Sequence, residues 1–219
     1  MMMMTTTSKT ILLTGFEPFG GEAINPSWEI ARALHGETIA GARVEALKLP
    51  CVFGESLSVL GEAVRVVKPS LVLALGQARG RSELSLERVA INLIDARIAD
   101  NAGGQPVDVP VIEGAPPAHF STLPVKAMVE GLRAAGYPAS LSFTAGSFVC
   151  NEVFFGLQHL MADRHLRSGF MHVPCLPEQA ALTPAPSMAL TTMISGVRLA
   201  LELAMQTQTD LHTVGGTIS

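Results

Sequence analysis

The chain has 219 residues and a mass of 23.1 kDa, with 48% apolar residues, a formal net charge of −4 and three cysteines. That length suits one compact domain with a substantial core, and the acidic balance without a dense Lys/Arg cluster excludes nucleic acid as an expected partner. The longest uncharged stretches, 134–151 and 179–197, are interrupted by Gly, Pro, Ser and Thr, so no membrane span is expected either.

The chain opens Met1-Met2-Met3-Met4-Thr5-Thr6-Thr7-Ser8, which lacks the basic start and long apolar run of a signal peptide. Residues 1–10 therefore read as a disordered extension, 11–207 as a single catalytic α/β domain and 208–219 as a flexible tail. Within the domain the apolar pattern predicts a strand at 11–14, a helix opened by Pro26-Ser27-Trp28 to about 34, a strand at 44–49, and a helix over 52–67 ended by Pro69. Leu71-Val72-Leu73-Ala74-Leu75 is an unbroken apolar run, suited to a central parallel strand covered on both faces. A strand at 89–93 follows, then a Gly/Pro-rich stretch over 101–118 that reads as a long loop and a candidate lid. A helix at 125–135, a strand at 141–143, a helix around Cys150, a strand at 170–173 and an amphipathic helix over 188–205 complete the order. Such alternation predicts an α/β/α sandwich with a mostly parallel, twisted central sheet.

The densest chemical signal is Ser147-Phe148-Val149-Cys150-Asn151-Glu152, which follows an apolar run broken at Gly146. Cys150 is expected in the first turn of a helix, where free backbone N–H groups and the helix dipole favour thiolate over thiol. Free cysteines more often serve as small buried hydrophobes, so a base is needed. His172 is the one polar residue in the run Gly169-Phe170-Met171-His172-Val173, and Pro174 places it near a strand end, where α/β proteins build their sites. A carboxylate should orient that imidazole. Glu87 is the best candidate, heading the run Val89-Ala90-Ile91, although spacing does not select it over Glu83 or Asp95. There is no G-x-G-x-x-G, P-loop lysine, C-x-x-C or H-E-x-x-H, so neither a cofactor nor a metal is expected. An odd number of widely spaced cysteines points to reduced thiols and a cytoplasmic location.

Four segments together resemble the pyrrolidone carboxyl peptidases, the pyroglutamyl peptidase I family of cysteine peptidases. They are Leu13-Thr14-Gly15-Phe16-Glu17-Pro18-Phe19-Gly20-Gly21 with Asn25-Pro26-Ser27-Trp28-Glu29; Gly76-Gln77-Ala78 with Glu87-Arg88-Val89-Ala90-Ile91-Asn92; Thr144-Ala145-Gly146 with Phe148-Val149-Cys150-Asn151; and Gly169-Phe170 with His172, Val173, Pro174, Pro177, Glu178 and Gln179. The resemblance runs from about residue 11 to about 203. It implies a phosphorylase/hydrolase-like fold and removal of an N-terminal pyroglutamyl residue from peptides through a thioester, with Glu87, Cys150 and His172 as the triad. It also implies a lactam pocket of Phe16, Phe19, Ile98, Phe148 and Val149 with Gln77 and Asn25 as polar contacts, an oxyanion donor near Arg97, and a homo-oligomer, commonly a tetramer. An aromatic slot suits a neutral lactam, which brings no ammonium to pair with a carboxylate. Three positions depart from the family: Arg79 for a glycine, which would strain the loop if that glycine had positive φ, Glu152 for a frequent histidine, and Cys175 for a commoner tyrosine. Two other classes fit the pattern, a non-catalytic binding protein for cyclic ligands and a different α/β hydrolase or phosphorylase.

Overall fold

A computed structural model describes residues 9–162, 166–182 and 184–216. Its main sheet has seven strands: β1 (Lys9–Phe16), β2 (Thr38–Ile39), β3 (Ala42–Leu49), β4 (Leu71–Gln77), β5 (Leu84–Glu87), β8 (Ala139–Ser142) and β9 (Arg167–Val173), in the spatial order β2-β3-β1-β4-β9-β5-β8. The pairs β3/β1, β1/β4, β4/β9 and β5/β8 are parallel, while β2/β3 and β9/β5 are antiparallel. A two-stranded ribbon, β6 (Val89–Ile91) with β7 (Ala118–Phe120), lies outside the main sheet.

Helices cover both faces, because the central strands are apolar on both sides. Leu71, Leu73 and Leu75 of β4 point into a cluster with α1 (Pro26–Leu34), α3 (Val125–Ala134) and α6 (Leu190–Gln206). Val72 and Ala74 point the other way, into a cluster with α2 (Glu55–Val67) and α4 (Val149–Met161). A short α5 (Pro177–Leu182) follows β9. This is the expected single-domain α/β/α sandwich with a mostly parallel sheet.

Local chemistry explains the element starts. Asn25 caps α1 by accepting from Ser27 N at 3.1 Å, and Pro26 occupies the first turn, where a missing N–H is harmless. The helix expected from 52 starts at Glu55, because Gly54 at φ 73° sets residues 51–54 apart as an irregular loop. The expected strand at 89–93 ends at Ile91 and joins the ribbon, and Leu84–Glu87 is the segment that enters the main sheet. Glu87 thus closes one strand rather than heading another. β2, β7 and α5 were too short to read from periodicity. The first strand includes Lys9 and Thr10 of the expected extension, and residues 1–8 lie outside the described residues. In the segment expected as a tail, Asp210 accepts from Lys126 N and Ala127 N at the start of α3, while 217–219 lie outside the described residues.

Candidate active site

Cys150 is the second residue of α4, delivered there by a turn at Gly146 whose φ of 79° favours glycine. Its sulfur rests on the sheet. A Cβ at position 76 would stand 2.8 Å from Cys150 Sγ and 2.8 Å from Phe170 Cζ, so Gly76 makes the space that the sulfur occupies. Gly76 is in register with His172 on the neighbouring parallel strand, and β-strands lie only about 4.8 Å apart. Sulfur and imidazole therefore occupy adjacent places on the α4 face. His172 shares that face with Phe170, whose ring centroid is 4.9 Å from the imidazole.

His172 Nδ1 and Glu87 Oε1 are 2.7 Å apart, and Glu87 is wholly buried. The same oxygen receives Arg81 Nη1 at 2.9 Å, and Arg81 Nη2 reaches Thr144 O at 2.8 Å. With Nδ1 engaged by a carboxylate, Nε2 is the nitrogen left to exchange protons with the thiol. Asp95 is exposed, and neither it nor Glu83 bonds His172 among the described residues. Arg81 was not anticipated; no local pattern marks a loop residue that reaches a buried carboxylate six positions on.

The expected lowering of the Cys150 pKa is reversed. Burial pushes the thiol up, and Cys51 and Glu87 add to it, against the opposing pull of Arg81 and of Cys150's own backbone N–H. The helix start acts in the predicted direction, but desolvation is larger.

The expected pocket residues divide. Phe148 is half-buried, with Phe19 at a ring distance of 6.2 Å and Phe53 edge-on at 5.1 Å. Ile98 is exposed and lines, with Phe148, Ser147, Arg97 and Asp95, a cavity of about 270 Å³. Phe16 is almost fully buried at the end of β1 in the same apolar cluster as Val149. Gln77 donates through Nε2 to Cys175 Sγ at 3.2 Å and lies 3.5 Å from Gln179 Nε2 through Oε1. Two of the expected pocket residues have inward-facing side chains. Val149 is wholly buried and offers no side-chain surface to a ligand. Asn25 has its amide bonded to Ser27 and to Glu17 O, which shapes the loop and caps α1.

The three departures have plain structural places. Arg79 has no positive φ, so the anticipated strain is absent, and its guanidinium pairs with Glu22 at 3.1 Å. Cys175 is buried against Gln77. Glu152 turns from the sulfur to the start of α2, where its Oε1 accepts from Gly54 N at 2.8 Å. Among the described residues, no group of three or more His, Cys, Asp or Glu could hold a metal ion, and no helix is long and apolar enough to cross a membrane. All three cysteines are free thiols.

Residues 9–207 match the sequence profile of the pyroglutamyl peptidase family. A pyrrolidone-carboxylate peptidase of Cupriavidus necator is 56% identical over 212 residues, covering 95% of this chain and 98% of the relative. Its counterpart in Erwinia tasmaniensis is 55% identical over 209 residues, covering 95% and 98%. The crystal structure of pyroglutamyl peptidase I from Bacillus amyloliquefaciens superposes with a TM-score of 0.92 at 42% identity, covering 94% of this chain and 100% of that one.

Proposed function

The chain belongs to the pyroglutamyl peptidase family and removes the pyroglutamyl residue from peptide N-termini, and we propose that it does so through Cys150, His172 and Glu87. The observation that carries the residue assignment is the buried Glu87–His172 contact of 2.7 Å beside a sulfur seated over Gly76. Cys150 Sγ attacks the pyroglutamyl carbonyl while its proton passes to His172 Nε2. Cys150 N–H, in a helix first turn where it has no intrahelical acceptor, stabilises the oxyanion. His172 then protonates the departing amine, leaving a thioester. Water, deprotonated by His172, releases pyroglutamate and restores the thiol. Glu87 holds the imidazole's tautomer, and Arg81 holds Glu87.

Phe19, Phe148 and Ile98 supply the lactam's apolar walls, with Phe16 beneath and Gln77 as the polar anchor. A prolyl N-terminus has the same shape but carries a charge that an aromatic slot desolvates without compensation, so discrimination of at least ~100-fold is expected. The finer reading is a homo-oligomer, tetrameric by resemblance, acting in the cytoplasm on pyroglutamyl peptides. Exposed Phe120 and Leu182 supply apolar surface for assembly.

Cleavage of a pyroglutamyl amide with and without iodoacetamide tests the core of this. Cys150→Ala and Cys150→Ser should fold and lose nearly all turnover. Cys51→Ser and Cys175→Ser should keep most of it, since both side chains are buried and neither belongs to the Cys150, His172 and Glu87 arrangement. Near-native turnover in Cys150→Ala would overturn the assignment.

A further inference from the structure

The loop between β3 and α2 has no regular structure, yet its backbone is pinned at three points by carboxylates from three other parts of the chain. Cys51 N donates to Glu17 Oε1 at 3.0 Å, Phe53 N to Asp100 Oδ2 at 2.9 Å, and Gly54 N to Glu152 Oε1 at 2.8 Å. The side chain this loop presents is Phe53, which packs edge-on against Phe148, two residues before the nucleophile. Glu152 is on α4 itself, so it ties the helix that carries Cys150 to the loop that carries Phe53.

We propose that Glu152 is a positioning residue for the lactam pocket, holding residues 51–54 so that Phe53 braces Phe148. The inference rests on the pocket reading given above. Glu152 is 4% exposed and its Oε2 is buried without a hydrogen-bond partner, so the side chain is kept inside for the one bond it makes to Gly54. An unpaired buried oxygen is costly, and a surface-seeking glutamate would turn outward if nothing held it.

The same geometry makes the brace sensitive to pH. The elements packed on α4 carry Glu55, Glu62 and Arg65 on α2, His119 on β7, and Arg167 and His172 on β9, and α4 itself carries Cys150 and His159. Burial, together with Asp100, pushes the Glu152 carboxyl up to about 7, against the bond from Gly54. Asp100 itself stays below the usual carboxylate range despite burial, because the N–H groups of Phe53, Gly104, Ala102 and Gly103 favour its charge. By linkage, ionising Glu152 favours arrangements in which it is less buried. The loop is therefore held more firmly below neutrality than above it.

The test uses pyroglutamyl-aminomethylcoumarin and the full chain between about pH 5.5 and 8.5, a range that brackets the shifted carboxyl. Glu152→Ala should raise KM about tenfold with kcat within about threefold, the split expected when binding alone is lost. Phe53→Ala should do the same, and the double variant should be no worse than either, since one acts through the other. In the wild type KM should climb through neutrality; Glu152→Gln, which keeps the acceptor without the charge, should hold the low-pH KM and flatten that climb. Multiplying effects in the double variant, or an unchanged KM climb in Glu152→Gln, would overturn the proposal. Hydrogen exchange at the Phe53 and Gly54 amides gives a readout that needs no turnover: faster in Glu152→Ala and wild-type-like in Glu152→Gln if the proposal holds, unchanged in both if it does not. Loss of Cys150-dependent cleavage in the wild type itself would instead strike the functional reading.

Discussion

The two faces of the central sheet are built from the same strands but in different chemistry. Under α1, α3 and α6 the apolar core is aliphatic, built of Ile, Leu, Val, Met and Ala, with Ser27 of α1 buried beside it. Under α2 and α4 the core is richer in rings, with Phe16, Phe154, Phe155 and Phe170, and that face also receives Glu87, His172, Glu152 and the sulfur of Cys150. One face is assembled for stability, and the other gives up part of that stability to hold polar groups away from water. Alternation along β4 shows how closely the two are joined: Leu73 and Leu75 serve one face, while Gly76 opens the other for the thiol.

If the division is real, changing Glu87 should abolish chemistry while sparing the fold. Glu87→Gln replaces the acceptor at His172 Nδ1 by a group that admits the wrong tautomer, and kcat should fall by roughly 10²–10⁴. Circular dichroism should remain native. A full rate across the pH profile would reduce Glu87 to a structural partner of Arg81.

Gly76→Ala tests the join between the faces. The added methyl would lie 2.8 Å from both Cys150 Sγ and Phe170 Cζ, so one of them must move. A displaced nucleophile of about 1 Å is expected to lower kcat about 10²-fold, with a stability loss of ~1–3 kcal/mol from overpacking. Iodoacetamide labelling of Cys150 should slow in parallel. Unaltered kcat and labelling would mean that the sulfur does not depend on that seat.

Leu73→Ala is the converse experiment on the aliphatic face. Leu73 is fully buried, and truncation should cost about 2–5 kcal/mol, visible as a lower denaturation midpoint. Turnover of the folded fraction should stay within about twofold, since Leu73 lies on the face of the sheet opposite Cys150 and His172. A large kcat loss at a temperature where the variant is folded would show that the faces are coupled.

The sequence disclosed the parts of this division that are local. The run 71–75 reads as a fully covered strand, and Asn25-Pro26 marks the start of α1, because capping and hydrophobic continuity act over a few residues. Cys150 and His172 were legible as an outlier at a helix start and a polar residue in an apolar strand. What was not legible depends on contacts distant in sequence. Arg81 meets Glu87 across a loop, Phe53 reaches Phe148 from another element, and Val149 points into the core by helix phase alone. The direction of the Cys150 shift failed for the same reason, since the helix start is local and burial is tertiary. Gly76 did carry a signal: a glycine inside an apolar strand marks a close approach.

The smallest effect should come at the rim of the reactive face, from Arg79→Gly. Family resemblance places glycine there, yet Arg79 has no positive φ, so the arginine occupies the position without backbone strain. Its pairing with Glu22 at 3.1 Å links the loop after Gln77 to the loop after Phe19. Both partners are substantially exposed, with 42% and 24% of their side-chain surfaces accessible, and such pairs contribute about 0–1 kcal/mol. Glycine would add unfolded-state entropy worth about 0.5–1 kcal/mol at most. The two terms act in the same direction, so Arg79→Gly should lower the melting temperature by only a few degrees, given roughly 2–4 °C per kcal/mol for a chain of this size. Gln77 is held by Cys175 and Gln179 rather than by Arg79, so kcat/KM should stay within about threefold. High salt should narrow the difference between the variants, because it screens the pair. A tenfold gain in kcat/KM for Arg79→Gly would show that the arginine restrains the pocket after all, and that the reactive face extends to its rim.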